Sequence, residues 1–243
     1  MNETQQLIKS IIEQKAKQEL GMDVVVEYVP DVNERCLEIE NQCQEKLGSV
    51  YENDKLTGMF IPPINQNPAY ILVQRDRENM LDVMTAFHEY RHLIDYFVFL
   101  QTMFDNDTEK MRHSHFYITF NVYSEFAATL SGVLHYLKII SIEGMSQKEL
   151  CKIILQNSKR AYQNLEGIVN RYQLLVHSLQ YFGNVIACSN FLEDMNLESI
   201  IDEMELSHEL KPVLAYILTF ENNYEWYKTL DTTMRTFVDG IMQ

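Results

Sequence analysis

Residues 79–103 constrain the fold more than any other stretch, because they contain neither Gly nor Pro and are apolar on both faces of an expected helix. Leu81 and Met84 fall on one face of this helix, and Val83 and Phe87 fall on the other. A helix that is apolar nearly all round is typically buried in a protein core. The sequence therefore predicts that this helix is buried.

The same helix contains the segment His88-Glu89-Tyr90-Arg91-His92. Residues four apart lie on one helix face, so the imidazoles of His88 and His92 can bind a single metal ion. Glu89 projects beside them, and burying these three polar side chains without a partner would be costly. The segment matches the HExxH pattern, in which two His bind zinc and the Glu acts as a general base. We therefore expect His88 and His92 to be metal ligands and Glu89 to be catalytic.

A catalytic zinc ion usually has three protein ligands, so a third is needed. Glu125 is the best candidate, because it is the only carboxylate between Lys110 and Lys138 in an otherwise apolar run. The chain from His92 to Glu125 is long enough for a loop and for a second helix that returns to the first. A lone carboxylate on an apolar helix is expected to bind something. His113 or His115 remains an alternative, although residues two apart point in different directions on a helix.

At His88, Glu89, His92 and Glu125 the chain resembles the gluzincin metallopeptidases. Among these it is similar to compact cytoplasmic members of the ImmA/IrrE kind, which bacteria, phages and mobile elements encode. The resemblance covers roughly residues 1–140. It implies an α+β, zincin-like fold, in which a small, mostly antiparallel sheet lies beside the HExxH helix and a helix with the Glu ligand.

The resemblance also implies a function. One Zn²⁺ per chain, bound by His88, His92 and Glu125, would lower the pKa of a bound water to about 7. Glu89 would accept its proton during hydrolysis of a peptide bond in a selected protein or peptide substrate. The strand before the metal helix, Tyr70–Gln74, would lie at the sheet edge facing the cleft. One departure is Thr129, because many gluzincins carry an Asp four residues after the Glu ligand.

Two domains are expected: a zincin-like core over residues 1–144 and a helical extension packed on it over residues 145–243. Several further elements are predicted from apolar periodicity and from Gly, Pro and Asn. In the core these are a helix over Asn2–Leu20, strands over Val24–Val29, Ser49–Tyr51, Thr57–Ile61 and Ala69–Gln74, a polar helix over Asn33–Leu47, and a loop over Pro62–Pro68. In the extension they are helices over Ser146–Phe182, Ser189–Met195, Leu197–Glu209, Pro212–Phe220 and Asn223–Val238. The sequence leaves open whether these helices only pack on the core or also select substrate.

Composition is that of a globular protein, with 243 residues of which 46% are hydrophobic. We find no signal peptide at the start and no apolar run long enough to span a membrane, and the four Cys form no CxxC pair. These features predict a cytoplasmic protein with reduced thiols. The net charge of −15 disfavours nucleic acid and anionic membranes as partners and would suit a basic protein substrate. The sequence leaves the oligomeric state open.

Two other functions remain open. Glu89 and His92 also form half of a di-iron carboxylate site, for which Glu205 and His208 could supply the second Glu-x-x-His pair. Alternatively, the chain is a catalytically silent binding module that retains the zincin fold. Several further side chains have candidate supporting roles. Asp95 could orient His92, and Tyr117, Tyr123 or Tyr136 could stabilise an oxyanion, whereas His135 and His177 are expected to be core histidines.

Overall fold

The structure is a computed structural model that describes residues 1–44, 56–75, 77–140, 145–164, 170–192, 195–202, 204 and 207–239. It is a mixed α+β structure, mostly helical, with one small sheet. The strands are β1 (Val24–Val29), β2 (Gly58–Ile61) and β3 (Ala69–Gln74). The helices are α1 (Glu3–Leu20), α2 (Val32–Cys43), α3 (Leu81–Phe104), α4 (Thr108–Arg112), α5 (Phe116–Ile139), α6 (Gln147–Gln163), α7 (Arg171–Ser189), α8 (Leu197–Asp202), α9 (Ser207–Ile217) and α10 (Tyr224–Asp239).

The sheet has the order β1-β3-β2, with β1 parallel and β2 antiparallel to β3. The expectation of a mostly antiparallel sheet is therefore wrong for the described strands. The expectation that Tyr70–Gln74 forms an edge is also wrong, because β3 pairs on both sides. Ala69, Ile71, Leu72 and Val73 of β3 are all buried, and a strand covered on both faces is typical of the centre of a sheet.

Among the described strands, the edge strand nearest α3 is β2, and the hydrogen-bond pattern shows which of its backbone groups make no bond to β3. The Gln74 N–H donates to the Thr57 carbonyl, so these opposed residues form a hydrogen-bonded pair. Pairs alternate along an antiparallel ladder, so Gly58 and Phe60 direct their backbone groups away from β3. The predicted partner strand at Ser49–Tyr51 lies outside the described residues.

The predicted helix over residues 79–103 is confirmed as α3, which packs between the sheet and α5. Helix α5 approaches α3 closely at Gly132, where an added Cβ would lie 2.7 Å from the Met84 carbonyl oxygen and 3.3 Å from the His88 Cβ. The absence of a side chain at Gly132 thus brings together the two helices that carry the candidate ligands.

The N-terminal helix and its ends are as predicted. Asn2 and Gln5 form a capping box at the start of α1, and Gly21 ends the helix with a φ of 68°, which favours glycine. Strand β1 and the loop before β3 also agree with the sequence prediction. The polar helix predicted over Asn33–Leu47 is α2, which ends at Cys43.

The extension differs more from its prediction. The helix expected over Ser146–Phe182 is two helices, because α6 ends at Gln163 and Asn170 caps the start of α7 through its side chain. Helix α7 then continues to Ser189, and residues 190–192 form a turn instead of the expected helix. The helix expected over Leu197–Glu209 is divided between α8 and α9.

Pro212 lies inside α9 and does not begin a new helix. A proline there removes one intrahelical hydrogen bond. Leu210, Val213, Leu214 and Ile217 recur at helical spacing and are all fully buried, so packing of this face compensates for the lost bond. The helix expected over Asn223–Val238 is confirmed as α10.

The extension and the core share one apolar cluster. Phe99 of α3 stacks on Phe120 of α5 and contacts Tyr227 of α10, and Phe126 of α5 stacks on Phe182 of α7. All four cysteines are free and buried. Among the described residues, no helix combines the length and apolar character needed to cross a membrane.

Candidate metal centre

His88, His92 and Glu125 are brought together where α3 and α5 cross. The Nε2 atom of His92 lies 3.0 Å from Nε2 of His88 and 3.5 Å from Oε1 of Glu125. Nε2 of His88 lies 3.7 Å from Oε2 of Glu125. Ligand atoms about 2.0–2.1 Å from a tetrahedral zinc ion are about 3.3 Å from one another. With one atom taken from each residue, the three ligand atoms lie within 4.8 Å of one another, so the group could hold one metal ion, and within the described residues it is the group that could do so.

The hydrogen bonds around His92 fix which of its nitrogens faces the other ligands. Its Nδ1 lies 2.8 Å from the Ser124 hydroxyl, and that hydroxyl donates to Asp95 over 3.3 Å. Because the Ser124 proton is directed to Asp95, His92 must donate through Nδ1, which leaves the Nε2 lone pair free for a metal. Asp95 thus supports His92 through Ser124, and the Arg91 guanidinium holds Asp95 from the other side over 2.8 Å.

The protonation of the ligands also suits a cation. Burial, together with the charge of His92, lowers the pKa of His88 to about 4, and burial lowers the pKa of His92. Burial opposes ionisation of Glu125, but the two imidazoles and the Gln180 amide lower its pKa below the usual value. At neutral pH the group is therefore two neutral imidazoles and one carboxylate, which is a common zinc ligand set.

Glu89 lies beside the ligands and contacts the edge strand. It is buried, and it accepts a hydrogen bond from the backbone N–H of Phe60 in β2. Burial and then the charge of Glu125 raise the pKa of Glu89 to about 8. A pKa of about 8 keeps most of this carboxyl group protonated at neutral pH in the metal-free chain, and a cation bound by the neighbouring ligands would lower that pKa. No ligand atom of Glu89 belongs to the metal-binding group, so the carboxyl group remains available to exchange a proton.

These side chains form the floor of an open cleft with a volume of about 1260 Å³. Strand β2 lines one wall, and α7 lines the other through Tyr172, Gln173, Val176, His177, Gln180 and Asn184. Among the described residues that line the cleft, the acidic ones are Glu89 and Glu125, and the basic ones are Arg77, Arg112 and the histidines. The strongly acidic character of the whole chain therefore does not extend into the cleft.

Helix α7 also contacts a ligand directly, which sequence reasoning missed. The Gln180 side-chain amide donates to Oε2 of Glu125 over 2.8 Å, and Nδ1 of His177 lies 3.2 Å from Oε1 of Gln180. The expectation that His177 is a core histidine is wrong, because it lines the cleft. The signal in the sequence was the spacing of His177, Gln180 and Asn184, which places three polar side chains on one face of an apolar helix.

The other candidate residues lie elsewhere. The His113 side chain is 83% exposed and pairs with Glu109, and His115 pairs with Asp231, so neither joins the ligand group. His208 is 80% exposed beside Glu209, and Glu205 lies outside the described residues.

The remaining aromatic and imidazole candidates are divided between the cleft and the core. Tyr117 lines the cleft, whereas Tyr123 and Tyr136 are buried in the core. His135 stacks on Phe87 and bonds to the Ser131 carbonyl, as a satisfied core histidine does.

The close contact at Gly58 allows a prediction about the position of the Glu89 side chain. An added Cβ at this position would lie 2.4 Å from the Thr85 Cγ2 and 2.7 Å from Oε1 of Glu89, so β2 approaches α3 only because Gly58 has no side chain. Gly58→Ala is expected to displace Glu89 and, if the chain has the hydrolase activity expected from the sequence, to lower peptide hydrolysis at least tenfold while the metal content stays unchanged. Met59→Ala, at the next position along the same cleft wall, is the matched control and should keep activity within a few-fold. Parental activity in Gly58→Ala would show that the position of Glu89 does not depend on this contact.

Comparison with known proteins gives no match: no family model, no curated protein and no solved structure is significantly similar to this chain.

Proposed function

We propose that this chain is a zinc-dependent metallopeptidase of the cytoplasm, related to the gluzincins. The observation that carries the proposal is the convergence of His88, His92 and Glu125 at distances that fit one ion, with Glu89 beside them on the floor of an open cleft. A purely structural metal site has no need of an adjacent buried carboxylate, so the position of Glu89 favours a catalytic site over a silent one.

Each side chain has a defined role in this function. Zinc bound by the three ligands would supply a water with a pKa of about 7 and would polarise the carbonyl of the substrate. Glu89, ionised once a cation is bound beside it, would accept a proton from the attacking water and pass it to the departing amine. Ser124 and Asp95 hold His92 with its Nε2 directed at His88 and Glu125. Tyr117 lies on the cleft wall, where its hydroxyl is a candidate donor to the developing oxyanion.

The shape of the cleft supports a peptide as the substrate. Small-molecule sites usually have volumes of roughly 300–1,000 Å³, and this cleft is larger, at about 1260 Å³. The carbonyl groups of Gly58 and Phe60 and the Gly58 N–H face away from β3, and no other described strand pairs with them, so an extended peptide can do so in this proposal. The edge that receives substrate in this proposal is β2, in place of the strand expected from the sequence.

Selectivity is expected to come from the opposite wall. A peptide bound along β2 would place side chains against α7, and Pro62 of the loop before β3 also lines the cleft. We therefore propose that the protein cleaves a particular protein substrate and cuts unstructured generic substrates poorly. Rapid hydrolysis of casein by the full-length chain would contradict this selectivity.

The test of the function combines metal analysis with a cleavage assay. The purified chain should contain one zinc per molecule and cut only a few related sequences within a diverse peptide library, as its selectivity requires, and a chelator should stop cleavage until zinc is restored. Two irons per chain would instead favour the di-iron protein, although the exposed position of His208 disfavours that function. One bound zinc with no cleavage of any peptide would favour the binding module and overturn the proposal.

A further inference from the structure

Helix α7 contributes a short chain of hydrogen bonds that ends on a candidate metal ligand. Gln180 contacts Glu125 over 2.8 Å, and His177 contacts Gln180 over 3.2 Å. Gln180 and Glu125 are separated by 55 positions in the sequence and lie on different helices. The chain of hydrogen bonds therefore connects the extension to the metal centre.

The direction of each hydrogen bond follows from the Gln180 amide. Its NH₂ group donates to Oε2 of Glu125, and its carbonyl oxygen faces Nδ1 of His177. His177 must then donate through Nδ1. This single arrangement satisfies all three side chains, and the opposite orientation of the Gln180 amide would place two acceptors against each other at the contact with Glu125.

Close packing of the two helices fixes the position of Gln180. Gly183 lies three residues further along α7, and an added Cβ there would be 2.9 Å from the Phe126 carbonyl oxygen and 3.2 Å from the Leu130 N. Because these are backbone atoms of α5, the two helix axes cannot separate or shift without losing this contact. The Gln180 amide is therefore held at a defined height above Glu125.

We propose that Gln180 is a positioning residue for the metal centre, and that His177 acts through it. The Gln180 amide donates to Oε2 of Glu125 and fixes the rotation of the carboxylate, with Oε1 nearest to His92 and Oε2 nearest to His88. The extension is then part of the metal site as well as a packing element. The inference rests on the metal-binding part of the proposed function and does not require hydrolysis.

The first test measures metal binding by the full-length chain with Gln180→Leu, which keeps the size of the side chain and removes its donor. Zinc affinity, measured by competition with a chromogenic chelator, should fall by about 10- to 100-fold. Asn184→Leu is the matched control, since Asn184 lies one turn further along the same cleft-lining face of α7. It should bind zinc as the parent does, and circular dichroism should show that both variants are folded.

A spectroscopic readout separates positioning from packing. In the Co²⁺-substituted protein, the visible absorption should change in Gln180→Leu, because a carboxylate free to rotate can bind the ion through both oxygens. Gln180→Met should not restore the parental affinity or spectrum, because a thioether has no proton to donate. A role in packing alone predicts the opposite, since Met has nearly the same size and shape as Gln.

His177 is tested with a double-mutant cycle. His177→Phe should weaken zinc binding less than Gln180→Leu does, and the double variant should be no weaker than Gln180→Leu, since His177 acts only through the amide. Additive losses would overturn the role given to His177.

Parental affinity and spectrum in Gln180→Leu, or an equal loss in Asn184→Leu, would overturn the whole inference and leave the proposed function intact. A parent chain that binds neither zinc nor Co²⁺ would overturn both.

Discussion

Replacing Glu89 with Gln is expected to reduce peptide hydrolysis by about 10²- to 10⁴-fold and to leave one zinc bound per chain. The amide has nearly the same shape as the carboxylate but cannot accept the proton of the attacking water. The three atoms that fit the ion belong to other residues, so the metal should stay. The measurement is the cleavage rate of a peptide that the parent cuts, together with zinc content by atomic emission.

Tyr90→Phe is the matched control for this change. Tyr90 is adjacent to Glu89 in the motif, but its hydroxyl bonds to Glu19, away from the cleft. This variant should retain both zinc and activity. If Glu89→Gln loses its metal while Tyr90→Phe keeps it, Glu89 is a ligand, and the di-iron alternative becomes the better interpretation.

The second large effect is expected from Glu125→Ala, which removes a ligand. Zinc affinity should fall by about 100-fold or more, beyond the roughly 10- to 100-fold typical of a lost supporting hydrogen bond. The two remaining imidazoles leave the ion with too few protein ligands for a stable tetrahedral site. Chelator competition measures the affinity, and hydrolysis should be lost in parallel at limiting zinc.

Two histidines outside the centre provide the controls for Glu125. His113→Ala and His115→Ala should bind zinc as the parent does, because these side chains pair with Glu109 and Asp231 away from the ligands. A variant at either position that loses zinc, with Glu125→Ala unaffected, would show that the third ligand was wrongly assigned.

The sequence was sufficient to predict the central helix and its motif because both depend on local periodicity. The His88–His92 spacing is a property of one helix, and the burial of α3 follows from apolar side chains on both of its faces. Glu125 was predictable for a different reason, because a carboxylate isolated in an apolar run is rarely buried without a binding partner. In each case the signal lies within about one helix length of sequence.

The relation between distant segments was not predictable in the same way. Whether β3 is central or at an edge depends on which strands pair with it, and nothing in the run Ala69–Gln74 determines that. The contact from Gln180 to Glu125 requires the packing of α7 on α5, which Gly183 makes possible at one particular height. A polar face on α7 was visible in the sequence, but the surface it would meet was not.

The helix boundaries predicted for the extension were wrong because of local features that apolar periodicity does not show. Apolar residues continue at helical spacing through Asn164 and Gly167, so the pattern alone predicts one long helix. Asn170 caps α7 by accepting from the N–H groups of Tyr172 and Gln173, and such a cap competes with helix continuation. Conversely, the sequence predicts a helix boundary at Pro212, whereas the buried face of α9 continues through it.

If the chain binds zinc as proposed, the contact between Glu125 and α7 also links metal supply to the lifetime of the protein. A ligand that binds only the folded state stabilises it by RT ln(1 + [L]/Kd), which is about 2.7 kcal/mol at a concentration one hundred times Kd. Because α7 packs on the ligand helix and shares a core with α9 and α10, that stabilisation extends to segments far from the ion. Under the proposed function, zinc depletion therefore has two consequences, since the metal-free chain is inactive and also unfolds more readily, which exposes it to degradation by other proteases.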